Sequence, residues 1–382
     1  MLKQPANIIK NTAVVEHETK EFTDLLPPFL LQNNNDLFSK FNQLEFDEAK
    51  NLFEPSDTPF SSSLSGSMMN RSYNRYSNIF PFDRNRIKLP VVEDKKTKFS
   101  DYINASSINL EDQQYIAAQG PLSNTINDFW QMVYDNSLSD NNTYHSVIIM
   151  LTPLLENSIE RCTCYWPMEK DSEILLAQRS TNTKYKFELK LRNLTKKYVK
   201  DGGFTHSQLL LTPYIPEDKD NASENAYPSK IIHHLYFARW NDFSQPTNLD
   251  DLYNLINYTH SLHKVKDFSE KRIFIPFIKK KQSLPLFIHC SAGVGRTGTF
   301  ITLHYLLNYS KQFKDNYYSL KYLLNNKSPN TNNDTDPIYE TIKKLRSQRA
   351  RMVQDFSQFC CIYKLLCKVL IEKIKSQPQN FN

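Results

Sequence analysis

The sequence predicts a mixed α/β fold, a twisted sheet flanked by helices, and three observations carry that prediction. From Arg71 onward, short runs rich in β-branched and aromatic residues alternate with polar loops and helical patterns; the clearest are Ser146 to Leu151, Tyr185 to Leu191, Ile231 to Ala238 and Leu284 to Ile288. One strand-like run, beginning at Leu286, passes through a glycine-rich turn into a stretch where Phe300, Leu303 and Leu307 keep helical spacing. The chain then closes on a second apolar stripe, Phe356, Phe359, Tyr363, Leu366 and Leu370, which reads as core packing. Strands interleaved with helices in this way belong to one layered α/β domain.

Taken in order, residues 1 to 70 alternate Asn-rich polar stretches with short apolar pieces such as Leu25 to Leu31 and end in the Ser-rich run Ser61 to Ser67. They read as a largely flexible extension carrying one docking helix between Asn34 and Phe53. Residues 71 to 375 form the expected catalytic domain, and 376 to 382 a flexible tail. Polar inserts at Pro216 to Ser229, Val265 to Ser283 and Asn325 to Pro337 read as surface loops, where added length costs little.

A hydrophobic share of 40% and an aromatic share of 13% supply a sizeable core and exclude wholesale disorder. The net charge of +6 is spread along the chain apart from Lys279, Lys280 and Lys281, so neither nucleic acid nor membrane is expected as a partner. No basic, apolar leader and no long apolar window appears, which leads to the expectation of a cytoplasmic or nuclear protein, with a monomer as the default. Cys162, Cys164, Cys360, Cys361 and Cys367 lack zinc-site spacing and read as buried thiols, and no metal or other cofactor is expected. Sequons at Asn141, Asn193, Asn221 and Asn257 carry little weight without a secretory signal.

The chemistry concentrates in LFIHCSAGVGRTGTF, residues 286 to 300. Strand, turn and helix start make an anion cradle: backbone N–H groups of Ser291, Ala292, Gly293, Val294, Gly295 and Arg296 can converge, and the helix N-terminus adds partial positive charge. Of the chain's seven glycines, Gly293, Gly295 and Gly298 fall inside this stretch, which places them where the backbone turns tightly or meets a ligand. Cys290 opens the cradle, where the helix end and Arg296 favour its thiolate; such settings lower a cysteine pKa to roughly 3.5–7.5. Arg296, six positions later, can fork onto two phosphate oxygens while the sulfur faces phosphorus. The Gly-Lys-Ser/Thr ending of a nucleotide P-loop is missing.

From about Arg71 to Lys373 the sequence resembles the protein tyrosine phosphatase family. The resemblance is carried by NRYSNIFPFDRNRIKL (74 to 89), DYINAS (101 to 106), YIAAQGPL (115 to 122), CTCYWP (162 to 167), IHCSAGVGRTGTF and RMVQDFSQF (351 to 359), and several stretches, including LRSQR, are most like the small non-receptor enzymes of budding yeasts. It implies a single tyrosine-phosphatase-like domain acting on phosphotyrosine proteins, signalling kinases among them. In it Tyr76 walls a deep slot and Asn78 meets the substrate backbone. Glu156 would orient Arg296 by a salt bridge, Arg161 would line the entrance, and His289 and Trp240 would support the cradle and its mobile loop. Asp242 would be general acid and base, Gln354 and Gln358 would hold the hydrolytic water and close the site, and Thr297 would stabilise the departing sulfur.

This sequence departs from the family pattern in places. The usual Trp-Pro-Asp reads Trp240, Asn241, Asp242, and Ser244 stands where glycine is usual. Losing proline frees a fixed dihedral, so altered loop closure is expected. Asp355 replaces a threonine between the two glutamines, and its charge faces either substrate or solvent. Two rival readings follow: a phosphotyrosine-binding pseudophosphatase whose loop no longer closes, and a dual-specificity or phosphoinositide phosphatase sharing the Cys-to-Arg loop. A scaffold working through residues 1 to 70 is a third.

Overall fold

The computed structural model describes residues 25–52, 58–90, 101–111, 113–137, 145–176, 187–215, 227–242, 244–264, 285–314 and 335–376. The lysine run 279 to 281, the insert 265 to 283, most of the inserts 216 to 229 and 325 to 337, the tail after Ser376 and the sequons at Asn141 and Asn221 lie outside them.

In chain order the described elements are helix α1 (Asn34–Leu52), strands β1 (Arg86–Lys88), β2 (Tyr102–Leu110) and β3 (Gln113–Ala118), helix α2 (Ile126–Asp135), and strands β4 (His145–Met150), β5 (Leu155–Glu156), β6 (Ile159–Glu160), β7 (Glu173–Leu176), β8 (Glu188–Val199), β9 (Phe204–Tyr214) and β10 (Lys230–Tyr236). Then come α3 (Leu249–Lys264), β11 (Leu286–His289), α4 (Gly295–Asn308), α5 (Pro337–Arg346) and α6 (Phe356–Lys375). Among the described residues nine strands form one sheet in the order β1-β2-β3-β11-β4-β10-β9-β8-β7, and β5 and β6 make a separate hairpin. The centre is parallel, with β11 between β3 and β4 and β10 beside β4, while both flanks are antiparallel.

Strand periodicity divides the core in two. Leu286 and Ile288 of β11 face the layer holding α4, α5 and α6, and Phe287 faces the layer holding α2. A parallel strand covered on both faces must be apolar throughout, which is why β11 reads as an unbroken run rather than an alternation. Helix α4 is buried along its whole length from Gly295 to Leu307. The strand–loop–helix unit that carries the chemistry therefore sits in the middle of the molecule, and its loop opens at the carboxyl end of the parallel strands, the usual ligand side of such sheets.

The expectation of a largely flexible stretch before residue 71 is corrected for residues 25–52 and 58–70. The docking helix is α1, and Leu37, Phe41 and Leu44 enter the same core as α6. The rings of Phe41 and Phe359 lie 5.6 Å apart and those of Phe38 and Phe356 5.3 Å apart. Lys40 pairs with Asp336 at 2.7 Å, and the Tyr363 hydroxyl donates to the same carboxylate at 2.7 Å. The Ser-rich run is not a linker either: it wraps Asp83, which accepts from the N–H groups of Leu64 and Ser65 and from the Ser65 hydroxyl. Small polar residues that read as linker here satisfy a carboxylate.

Two smaller expectations also change. β8 extends to Val199 through polar residues because it pairs with β9 along a long hairpin turned at Gly203, whose φ is 63°. Cys164 is exposed, not buried, whereas Cys162, Cys360, Cys361 and Cys367 are buried. Asn193 is fully buried, with its amide donating to the Pro167 carbonyl, so its sequon is inaccessible in the folded chain. The C-terminal stripe is core: Phe359, Tyr363, Leu366 and Leu370 are all buried. No helix among the described residues is long and apolar enough to cross a membrane.

Candidate active site

β11 ends at His289, so the next residue, Cys290, emerges at the floor of the cradle with only 3% of its surface exposed. The loop's carbonyls are all engaged on its outer side. Gly120 N–H donates to the Ser291 carbonyl at 2.9 Å, Arg349 donates to those of Ala292 and Gly293 at 3.0 and 2.9 Å, and the Val294 carbonyl accepts from Gly298 and Val353 N–H groups at 2.8 and 3.2 Å. With the carbonyls fixed outward, the intervening N–H groups turn toward the sulfur. Gly293 shows this directly, donating to Cys290 Sγ at 3.2 Å. Its φ is 73°, and a Cβ there would stand 2.1 Å from the Ala118 carbonyl oxygen, so only glycine fits. At Gly295 and Gly298 a Cβ would come within 2.7 Å of Gln358 Oε1 and 2.5 Å of the Val353 nitrogen, which seats the cradle flush against the RMVQDFSQ segment.

Burial alone would push the Cys290 thiol up, but the Arg296 guanidinium, the hydroxyl and N–H of Thr297 and the N–H of Val294 outweigh it, and its pKa falls below that of an ordinary cysteine. Cys360 and Cys361 move the opposite way, to about 11 and about 12, because burial there outweighs the nearby Lys364 charge. Cys290 is thus the buried thiol whose surroundings favour the thiolate.

Arg296 is 1% exposed. One terminal nitrogen donates to the Trp240 carbonyl at 2.7 Å and the other meets Asp242 Oδ1 at 3.2 Å. The second oxygen of Asp242 pairs with Arg161 Nη1 at 3.2 Å. Glu156 does not orient Arg296 as expected. It pairs with Arg161 Nε at 3.1 Å and accepts the Asp242 N–H at 2.8 Å, because the β5–β6 hairpin aims it at the Asp242 segment instead. Arg161 and Glu156 therefore hold the loop, and Arg296 is held by the loop's own Asp242 and Trp240.

The two departures in that loop compensate each other. The Ser244 hydroxyl donates to the Asn241 carbonyl at 2.7 Å, and Trp240, fully buried, donates its indole N–H to the Ser244 carbonyl at 2.7 Å. A side-chain hydrogen bond thus closes the turn that proline would have constrained. The segment stands docked on Arg296 through the Trp240 carbonyl and Asp242.

Tyr76, half-buried, gives its hydroxyl to Ser291 Oγ at 2.8 Å, and Ser291 in turn donates to the Arg161 carbonyl at 2.8 Å. This ties the slot's aromatic wall to its floor. Asn78 is exposed two residues further along, Thr297 is fully buried at the start of α4, Gln354 is half-buried, and Gln358 is buried against Gly295. Asp355, half-buried, caps α6, accepting from Ser357 N–H at 2.8 Å.

A family profile described as "Protein-tyrosine phosphatase" matches residues 70–368. The chain is 32% identical over 361 residues to Tyrosine-protein phosphatase 1 of Saccharomyces cerevisiae, covering 88% of this chain and 95% of that protein.

This chain belongs to the protein-tyrosine phosphatase family.

It is also 33% identical to Tyrosine-protein phosphatase 2 of Schizosaccharomyces pombe over 87% of its own length, and 28% identical to the rat Tyrosine-protein phosphatase non-receptor type 20 over 85%. It spans 39% and 60% of those two proteins.

Several residues that hold this phosphatase-family site together escape a reading of the sequence. Arg349, fully buried, uses its guanidinium to bind the Ala292 and Gly293 carbonyls together with Asn104 Oδ1 at 2.8 Å and Ser106 Oγ at 3.1 Å. It lies in LRSQR, where it reads as one more surface cation. Gln119 binds the Tyr76 loop from below, accepting the Arg75 N–H at 2.9 Å and donating to the Tyr73 carbonyl at 2.8 Å. Behind His289 a buried chain runs through Tyr165, whose hydroxyl is 2.7 Å from both His289 Nε2 and His234 Nε2. Burial lowers the His289 pKa to about 4, so the ring is neutral and its Nδ1, 3.1 Å from the Cys290 carbonyl, donates to it. His289 thus fixes the backbone from which the Cys290 thiol projects. YWP was legible as a motif, but its partners lie 69 and 124 positions away.

Proposed function

We propose that this chain hydrolyses phosphotyrosine in proteins through a phosphocysteine on Cys290, and the observation that carries the proposal is the outward pinning of every cradle carbonyl around a thiol whose pKa is lowered. A phosphoryl group seated there meets the loop N–H groups and the Arg296 fork, whose Nε has no acceptor among the described residues. The Cys290 thiolate attacks phosphorus in line; the S–P bond forms as the P–O bond to the tyrosine breaks, and Asp242 gives its proton to the leaving phenolate. As the phosphoryl oxygens replace Asp242 on Arg296, its carboxyl is freed for the leaving oxygen. Water held by Gln354 and Gln358 then attacks phosphorus, Asp242 takes its proton, and the thiolate departs with help from Thr297.

Phosphotyrosine is favoured over phosphoserine because the Tyr76 ring is fastened to Ser291 at the slot's floor, so phosphate must travel the length of an aromatic ring to reach sulfur. Asn78 at the rim meets the peptide backbone. Cytoplasmic phosphotyrosine proteins, signalling kinases among them, are the proposed substrates, met by a monomer. The test is phosphate release from matched phosphotyrosine and phosphoserine peptides. Release from the first alone is the expected result; comparable release from both favours a dual-specificity reading, and binding without release a pseudophosphatase.

General acid catalysis is worth about 10² to 10⁴ in rate, so Asp242→Ala is expected to lose kcat by that factor with KM little changed. The loss should shrink on aryl phosphates whose phenols leave without protonation. Equal losses on good and poor leaving groups would remove Asp242 from the role of acid.

A further inference from the structure

We propose that Glu48, on the N-terminal helix α1, is a positioning residue for the water-holding glutamine Gln354, so that the helix supports the second chemical step; this rests on the two-step phosphatase reading above. The segment between α5 and α6 turns through two non-glycine residues of positive φ, Arg351 at 61° and Val353 at 58°, a region that a β-branched residue such as Val353 rarely enters. Gln354 follows directly. A turn of this kind persists only where its surroundings impose it.

Two groups impose it. Arg346, itself 5% exposed, donates through Nε to the Met352 carbonyl at 3.0 Å and through Nη2 to the Val353 carbonyl at 2.9 Å. Glu48, 8% exposed, accepts the Arg351 N–H through Oε1 at 2.6 Å and lies 3.6 Å from Arg346 Nη1 through Oε2. Glu45 adds a second carboxylate to the same Arg346 nitrogen at 2.7 Å, and the Phe41 ring packs under the guanidinium at 5.5 Å. Glu48 is thus the carboxylate that meets both the arginine and the turn. The turn in turn meets the cradle, since the Val353 N–H donates to the Val294 carbonyl at 3.2 Å and a Cβ on Gly298 would stand 2.5 Å from the Val353 nitrogen. A displacement at Glu48 therefore reaches Gln354 through three residues of backbone. Asp242 is held by Arg296 and Arg161, and the Val294 carbonyl of the cradle keeps the Gly298 N–H at 2.8 Å as a second donor.

The test is rapid mixing of the full chain with a chromogenic aryl phosphate, which separates phenol release from the hydrolysis that follows. Glu48→Ala removes the acceptor of a hydrogen bond on a charged group, and is expected to slow phosphocysteine breakdown roughly tenfold. Steady-state turnover falls, and a burst of phenol approaching one per chain appears with its own rate unchanged. Glu48→Gln, which keeps an oxygen for the Arg351 N–H, restores most of the rate. Lys40→Met, which cuts the helix's ion pair with Asp336 without touching the turn, leaves both phases as in the wild type. Should Glu48→Ala not fold, Glu48→Asp, one methylene too short, carries the same readout. Wild-type kinetics in these Glu48 variants, or equal losses in both phases, overturns the inference while leaving the phosphatase reading intact. A wild type that releases no phenol overturns both.

Discussion

Cys290→Ser is expected to lower turnover of a phosphotyrosine peptide by about 10⁴-fold or more, the scale on which covalent enzymes fail when the nucleophile is removed. The substitution changes one atom, and the whole effect comes from ionisation and nucleophilicity. Arg296, Thr297 and the Val294 N–H act together to hold a thiolate against the cost of burying it; a serine hydroxyl in the same place keeps its proton. The folded structure should be retained, because neither the outward carbonyl contacts nor Arg349 involves the sulfur. Peptide binding should therefore survive, and calorimetry on the serine variant checks that half of the prediction. Binding lost along with turnover would indicate a collapsed cradle rather than a missing nucleophile.

Arg296→Ala is expected to be of similar severity. The guanidinium offers a forked pair of donors to the phosphoryl oxygens, and each donor aimed at developing transition-state charge is worth about 10² to 10³ in rate. The same side chain docks the 240–242 segment through the Trp240 carbonyl and Asp242, so its loss also unfastens Asp242, the proposed acid. Arg296→Lys keeps the charge but not the fork. It should recover only part of the rate, and steady-state kinetics of the two variants side by side checks this. Lysine matching arginine would mean that charge alone, not bidentate geometry, binds the phosphoryl group.

The cradle was legible because its chemistry is local. Cys290, Arg296 and three of the chain's seven glycines share one short stretch, and the strand before and helix after it have unambiguous patterns. Tyr76, Asp242 and Gln358, which the fold brings to the cradle, were legible through the motifs around them. What the sequence hid are contacts between distant segments. Glu156 was matched to Arg296 because opposite charges in a family pattern suggest a pair, but only the β5–β6 hairpin decides that it faces Arg161 and the Asp242 N–H. Arg349 looks like any surface arginine until the fold places four acceptors around it. Residues 58–70 look like a linker because serines suit linkers, and nothing local reveals that they wrap Asp83.

In the proposed mechanism Cys290 carries the phosphoryl group between the two steps. Its most direct test is acid quenching of the enzyme milliseconds after mixing with a phosphotyrosine peptide, followed by mass mapping of the digested chain. A single phosphate adduct on the peptide containing Cys290, present in the wild type, more abundant in the Asp242 variant treated with an easily displaced aryl phosphate, and missing from Cys290→Ser, is the predicted result. Turnover with no adduct on that peptide under any of these conditions, or with the phosphate on another residue, would contradict it.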